Sequence, residues 1–261
     1  MPPSKISVPL RLLGQSGCVL RFPGTTVYLD PYLSNSVQEL DAPDLARQMA
    51  APIQPAEVAD ADWVLITHEH IDHCDPHTLP QLAQASPQAR FAGPAPVLAI
   101  LQGFGIPAAR CVLAGEDWQA LGAGLRLRAV PAAHPQVERD GQGNLRCAGF
   151  VLDYQGHLVY LAGDTAVCEE LLEALGALNG IDAALLPVNE RNYFRDRRGI
   201  IGNMSVREAF LLAREAGIRQ VVPVHWDMFA ANSVSPEEIQ AVYDAMKPGF
   251  ELLMRPERLE L

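Results

Sequence analysis

Apolar positions along this chain switch between the period of a strand and the period of a helix, and the switches predict its elements. Short apolar runs at 7–13, 18–22 and 25–29 predict three successive strands, the last two joined by a turn at Pro23-Gly24. Residues 63–67 predict a short buried strand, and 125–130 alternate leucine with arginine as a half-buried strand does. Residues 150–154 and 157–161 flank Gln155-Gly156 as the arms of a hairpin, and 220–224 predict a further buried strand.

Helical spacing recurs at 96–101 and in the stripe Val167, Leu171, Leu172 and Leu175, which Gly176 ends. Two later helices carry start signals. Ser205-Val206-Arg207-Glu208 is a capping box ahead of Ala209, Phe210 and Ala213, with Gly217 as the stop. Ser235-Pro236-Glu237-Glu238 puts proline at the first helical position ahead of Ile239, Val242, Tyr243 and Met246. Early hairpins followed by mixed strands and helices predict an α/β protein whose sheets carry helices on their outer faces. Residues 31–59, with scattered prolines and a short helix expected near 40–49, read as an insertion over one face of a single domain spanning 1–261.

Composition narrows the classes. A chain of 261 residues with 49% hydrophobic positions can build a substantial core, and no run approaches the roughly 20 apolar residues of a membrane helix. The net charge of −11 argues against nucleic acid or anionic membrane as a partner, leaving a small molecule as the expected one, with a homo-oligomer open. The segment beginning Met-Pro-Pro-Ser-Lys has no long apolar run, so no secretory leader is expected. The cysteines, Cys18, Cys74, Cys111, Cys147 and Cys168, are odd in number and scattered, which fits a reducing cytoplasm and small buried side chains. Cys74 stands apart because it lies inside the motif that carries the chemistry.

That motif is Thr67-His68-Glu69-His70-Ile71-Asp72-His73-Cys74-Asp75-Pro76. Three histidines and an aspartate fall within six residues, directly after an apolar strand. His68 and His70 point to the same side of an extended backbone, and Asp72 and His73 follow at the turn. Asp75 as N-cap and Pro76 as first helical residue predict a helix starting there. The cluster then occupies a strand's carboxyl end, where open α/β sheets place their sites. Imidazole and carboxylate together suit zinc, manganese or iron. The alternative is a histidine-rich surface turn. His134, Asp164 and His225 each follow a further apolar strand and supply enough ligands for two metals. His77 and His157 read as structural.

His-x-His-x-Asp-His, a lone His, Gly-Asp after a strand and a lone His after a strand together resemble the metallo-β-lactamase superfamily of hydrolases. The likeness runs over nearly the whole chain. It implies an αβ/βα sandwich of two mixed β-sheets face to face with outer helices, and a site at one edge. It implies that His68, His70 and His134 hold one divalent ion, that Asp72, His73 and His225 hold a second, and that Asp164 bridges them. A metal-bound water or hydroxide, oriented by Asp72, would be the nucleophile, with zinc favoured and manganese or iron open. Asp30 matches a carboxylate that fixes the tautomer of a ligand imidazole, the alternative being a turn residue that closes its strand.

Departures narrow the branch. Histidine at position 70 where the oxygen-reducing di-iron branch has glutamate disfavours that branch. Aspartate rather than cysteine at 164 disfavours antibiotic-degrading enzymes, and the acidic charge disfavours a nuclease. Residues 189–203, followed by His225-Trp226 and Asn232, resemble the L-ascorbate-6-phosphate lactonase-like branch. That resemblance implies hydrolysis of a lactone or ester of a small polar, anionic metabolite. Four arginines between Arg191 and Arg198 could grip such an anion bidentately. Arg191, Asn192, Tyr193, Arg195 and Asn203 are therefore candidate substrate contacts. The alternative is a solvated loop ion-paired to Glu190 and Asp196, with Asn203 serving only a helix start. A phosphodiesterase on the same site, an iron redox protein and a metal sensor stay open as other functions.

Overall fold

The computed structural model describes residues 5–178 and 180–261. Residues 1–4, where the reading of a leaderless start begins, lie outside the described residues. The first sheet begins as an antiparallel meander of β1 (Ser7–Gly14), β2 (Gly17–Phe22) and β3 (Thr25–Leu29). β4 (Trp63–Leu65), β5 (Arg90–Gly93) and β6 (Cys111–Leu113) then add in parallel, with α1 (Leu79–Ala85) and α2 (Ala95–Gly103) as the crossovers.

The second half repeats the plan. β7 (Gln119–Gly122), β8 (Leu125–Pro131), β9 (Ala148–Tyr154) and β10 (His157–Leu161) are antiparallel. β11 (Ile181–Pro187), β12 (Ile218–Val224) and β13 (Glu251–Leu252) follow in parallel. Their crossovers carry α3 (Glu169–Gly176), α4 (Tyr193–Asp196), α5 (Val206–Glu215) and α6 (Pro236–Met246). β14 (Arg258–Glu260) returns to pair with β1. Each sheet, among the described residues, thus has seven strands, antiparallel at one end and parallel at the other.

Side-chain alternation sets the layers. Cys18, Leu20 and Phe22 of β2 face Phe150, Leu152 and Leu161 of the second sheet, forming the core between sheets. Val19, Tyr28, Val64 and Phe91 point the other way, onto Leu79, Leu82, Val97 and Leu101 of α1 and α2. Val151, Tyr160, Ala184 and Leu186 likewise meet Leu171, Leu175 and Phe210 of α3 and α5. This is the expected αβ/βα sandwich of two mixed sheets. The Gln155-Gly156 hairpin forms with both residues at positive φ, 55° and 93°, as a tight two-residue turn requires.

Two expected helices come out differently. Residues 40–49 do not form one: a π-helical turn over Val37–Asp41 stops at Ala42, which is extended at φ −129°. Pro43 is the reason, because the residue before a proline is driven out of the helical region. The helix after the histidine motif starts at Leu79 rather than at Pro76. The Asp75 carboxylate caps a preceding turn instead, accepting from His77 N–H at 2.9 Å and from the Thr78 hydroxyl at 2.5 Å. It also accepts from Ser34 Oγ at 2.7 Å, tying the 31–59 segment to this turn.

β1, β3, β4, β8, β10 and β12 all run the same way within their sheets, so their carboxyl ends share one edge of the sandwich. No described helix is long and apolar enough to cross a membrane.

Candidate metal centre

Seven polar side chains from both sheets meet at that edge. His68, His70, Asp72 and His73 leave β4, His134 follows β8, Asp164 follows β10 and His225 follows β12. The turn beyond β4 is tight, with His73 N–H and Cys74 N–H both donating to the His70 carbonyl at 3.0 and 2.7 Å. Asp164 is reached through Gly163, where φ is 61° and a Cβ would lie 2.6 Å from the Thr67 side chain. Only glycine meets both demands.

Ligating atoms group in three overlapping sets, each with its atoms within 4.8 Å of one another: His68, His70 and His134; His68, His73 and Asp164; Asp72, His73 and His225. His134 Nε2 lies 3.1 Å from His70 Nδ1. Asp164 faces both groups of histidines. Its Oδ1 is 3.3 Å from His73 Nε2, and its Oδ2 is 3.2 Å from His225 Nε2 and 3.8 Å from His134 Nε2. Asp72 Oδ2 sits 3.5 Å from His225 Nε2 and 3.7 Å from His73 Nε2.

A supporting layer orients these groups. Asp30 is fully buried, accepts from Thr67 N–H at 2.8 Å and the Thr67 hydroxyl at 2.7 Å, and pairs with His73 Nδ1 at 2.7 Å. Thr67 Oγ1 in turn lies 3.0 Å from His68 Nδ1. The outward nitrogens of His68 and His73 are thereby turned toward the centre. In the β1–β2 turn, Gln15 donates from its side-chain amide to Asp72 Oδ2 at 2.6 Å and accepts from His225 N–H on its backbone carbonyl at 2.9 Å. Ser16 Oγ donates to Asp164 Oδ1 at 3.4 Å. The sequence pointed to Asp30 but not to Gln15 and Ser16, which carry no motif, nor to Thr67, which opens the histidine motif without being a ligand type. Their only signal is position at the ends of strands leading to this edge.

The electrostatics are those of a centre built around positive charge. Burial pushes His68 down, and pushes His134 down to about 4. Burial opposes the charged forms of His73 and His225 too, but the carboxylates outweigh it. Asp164, Asp72 and Asp30 hold His73 well above its ordinary value, while Asp164 and Asp72 hold His225 up at about 9. Burial raises Asp72 and Asp164, yet His73 and His225 pull both well below the usual carboxylate range.

These residues fit divalent metal. Nε2 of His68, Nε2 of His73 and both ring nitrogens of His225 are buried without a hydrogen-bond partner. Buried polar atoms are rarely left so, and imidazole nitrogens converging with two carboxylates are the donor set of zinc, manganese or iron. No cysteine belongs to the set. Cys74 turns away into the outer core with its thiol pushed up to about 12 by burial, so its place inside the motif is a packing role. His77 is half-exposed beside Glu39, and His157 sits at the start of β10 near Asp182.

A cleft of about 590 Å³ opens onto His70, Asp72, His134, Asp164 and His225. Its far walls are residues 37–45 and 198–201. The candidate substrate contacts fall outside this lining. Arg191 pairs with Asp196 at 3.4 Å, and Asn192 caps α4. Tyr193 is exposed with Phe194 against it. Arg195 is buried, donating to the carbonyls of Glu190 at 2.6 Å and Ser233 at 2.8 Å. Asn203 is buried and donates to Asn189 Oδ1 at 2.9 Å, and Asn189 donates to Asn232. Asn192, Arg195 and Asn203 are thus engaged in the loop's own hydrogen bonds, while Arg191 and Tyr193 face outward from it. Arg198 alone of the four arginines reaches the cleft, where Asp44 already engages it.

Comparison with known proteins agrees with this architecture. The family described as "Beta-lactamase superfamily domain" matches residues 25–226. A UPF0173 metal-dependent hydrolase of Rubrobacter xylanophilus is 30% identical over 248 residues, covering 88% of this chain and 89% of its own. Among solved structures, the metallo hydrolase Igni18 of Ignicoccus hospitalis superposes with a TM-score of 0.71 at 19% identity, covering 98% of both chains. A possible metal-dependent hydrolase of Veillonella parvula gives 0.74 at 15% identity, again over 98% of both chains. Family, fold and donor set lead to one identification: the chain belongs to the metallo-β-lactamase superfamily, as one of its metal-dependent hydrolases.

Proposed function

We propose that this protein hydrolyses a lactone or ester of a small metabolite at a two-metal centre. His68, His70 and His134 would hold one ion, Asp72, His73 and His225 the other, with Asp164 between them. The observation that carries the reading is the sharing of Asp164 between two histidine groups, with an open cleft directly against them. Two bound divalent ions supply a water of lowered pKa and a Lewis acid for a carbonyl oxygen.

The chain's own residues do the rest. Gln15 fixes one oxygen of Asp72, leaving the carboxylate facing the cleft as an acceptor that orients the attacking water. Asp30 and Thr67 fix the imidazoles of His73 and His68, so the ligand nitrogens are presented without reorganisation. The 37–45 and 198–201 walls flank the space where the carbonyl would lie. The arginine segment lends an anionic substrate little support, because only Arg198 of its four arginines lines the cleft and Asp44 pairs with it; the ester or lactone bond does not depend on them.

The test is a panel of lactones and carboxylic esters beside bis-p-nitrophenyl phosphate, with protein stripped by chelator and reloaded with zinc or manganese. Metal-restored turnover of a lactone or ester is the expected result. Turnover of the phosphodiester alone would replace this reading with the phosphodiesterase. Bound iron with redox activity and no hydrolysis would replace it with an electron-transfer role.

A further inference from the structure

The walls of the cleft have a chemical character that the metal centre does not explain. We infer that this site selects substrates by an uncharged, apolar acyl or alkyl group, an inference that rests on the hydrolase reading above and gives it a substrate class.

Two segments far apart in the chain face each other across the opening, 37–45 and 198–201. Between them and the floor, the cleft presents Leu40, Leu45, Ile71, Ile200, Ile201 and Phe229. Exposure points the same way. The exposed large apolar residues are Leu40 at 58%, Tyr193 at 67%, Phe194 at 75%, Ile201 at 37% and Leu211 at 36%. Of these, Leu40 and Ile201 line the cleft, one on each wall, while Tyr193 and Phe194 lie on α4 outside its lining. Exposed apolar surface gathered in one place, rather than scattered singly, marks a binding surface.

The charged groups make the complementary case. Arg198 is the one basic side chain other than histidine among the described residues that line the cleft, and Asp44 engages its guanidinium. The same ion pair joins one wall to the other. Asp41 and Glu69, also in the lining, are acidic. A substrate carboxylate or phosphate placed away from the metals would meet acids and an engaged arginine. An alkyl group there would meet six apolar side chains. His70, Asp72, His134 and His225 line this same cleft, so a carbonyl held at the centre leaves its chain lying along those walls.

The experiment measures binding as well as turnover. Straight-chain alkylhydroxamic acids, from acetohydroxamic to octanohydroxamic acid, are titrated into zinc-loaded protein by calorimetry. Kd should fall roughly threefold to fourfold for each methylene added while the walls can cover it. A hydroxamate of equal length ending in a carboxylate should bind at least about tenfold more weakly than its alkyl counterpart. The L40S/I201S double variant, both positions being partly exposed, should flatten the dependence on chain length, while Leu211→Ser on α5 should leave it unchanged. A Kd independent of chain length, a tighter carboxylate-ended ligand or an unaltered slope in L40S/I201S overturns the inference. The two readings fail separately. A chain-length slope without hydrolysis of any ester or lactone overturns the hydrolytic reading, and hydrolysis without a slope overturns the apolar selection.

Discussion

Asp30 shows how one side chain outside the ligand set can govern it. It sits at positive φ, 39°, which a short polar side chain tolerates better than most, and both of its oxygens are spent. Oδ1 accepts from the backbone of Thr67, while Oδ2 serves the Thr67 hydroxyl and His73 Nδ1. Asparagine has the same shape but only one acceptor oxygen and no charge, so Asp30→Asn must release either the Thr67 backbone or the His73 ring. Metal affinity should fall about 10–100-fold, measured by competition with a chelator. Parallel unfolding of metal-free protein separates this from a loss of fold, and unchanged affinity would deny Asp30 its orienting role. Asp30 was legible through the family resemblance, since its position at the end of a strand is equally that of an ordinary turn residue. Gln15 was not, because a glutamine in a turn is ordinary until strand pairing brings it 2.6 Å from a residue 57 positions away.

Elements were legible where local signals act alone, and misread where a signal serves two masters. The capping box at α5 forms as its sequence demands, Ser205 N–H donating to Glu208 Oε2 at 2.9 Å and Glu208 N–H donating to Ser205 Oγ at 3.2 Å. Asp75 carries an equally good N-cap signal, but its carboxylate is taken by the turn through His77 and Thr78 and by Ser34, so the helix starts later. The cleft walls were illegible for a related reason. Their apolar residues follow neither helical nor strand period, because they lie in irregular segments and divide between the cleft and a small cluster around Val37 and Phe229. Ser205 touches none of the metal centre, so its effect belongs to its helix. Ser205→Ala should cost about 1 kcal/mol. In a chain of this size that lowers Tm by roughly 2–4 °C in a thermal melt, with zinc affinity unaltered. A loss of zinc affinity larger than the loss of stability would show that α5 positions the site through its amino-terminal turn.

At the scale of the whole molecule, the net charge of −11 and the metal centre belong to one electrostatic design. The metal-free edge concentrates Asp72 and Asp164 around His73 and His225, whose protons these carboxylates hold above the ordinary imidazole range. A divalent ion held by the same nitrogens, as proposed above, would have to expel those protons on binding. The signs follow from the shifts. His225, raised to about 9, gives the metal-free fold stability that is fully present below its unfolded value near 6.5 and is lost as pH rises through about 9. His134, lowered to about 4, gives stability that is present above that unfolded value and lost as pH falls through about 4. On these two groups the metal-free protein is most stable near pH 6.5, and its Tm declines toward pH 9. The metal-loaded protein has no proton left to lose at His225, so the gap in Tm between the two forms should widen over that interval. Calorimetric titration of zinc at pH 7.5, in buffers of different ionisation enthalpy, should count about one to two protons released per chain. A count of zero, or a gap in Tm that stays constant from pH 6.5 to 9, would mean that the histidines are neutral before metal arrives and that the carboxylates are balanced by some other charge.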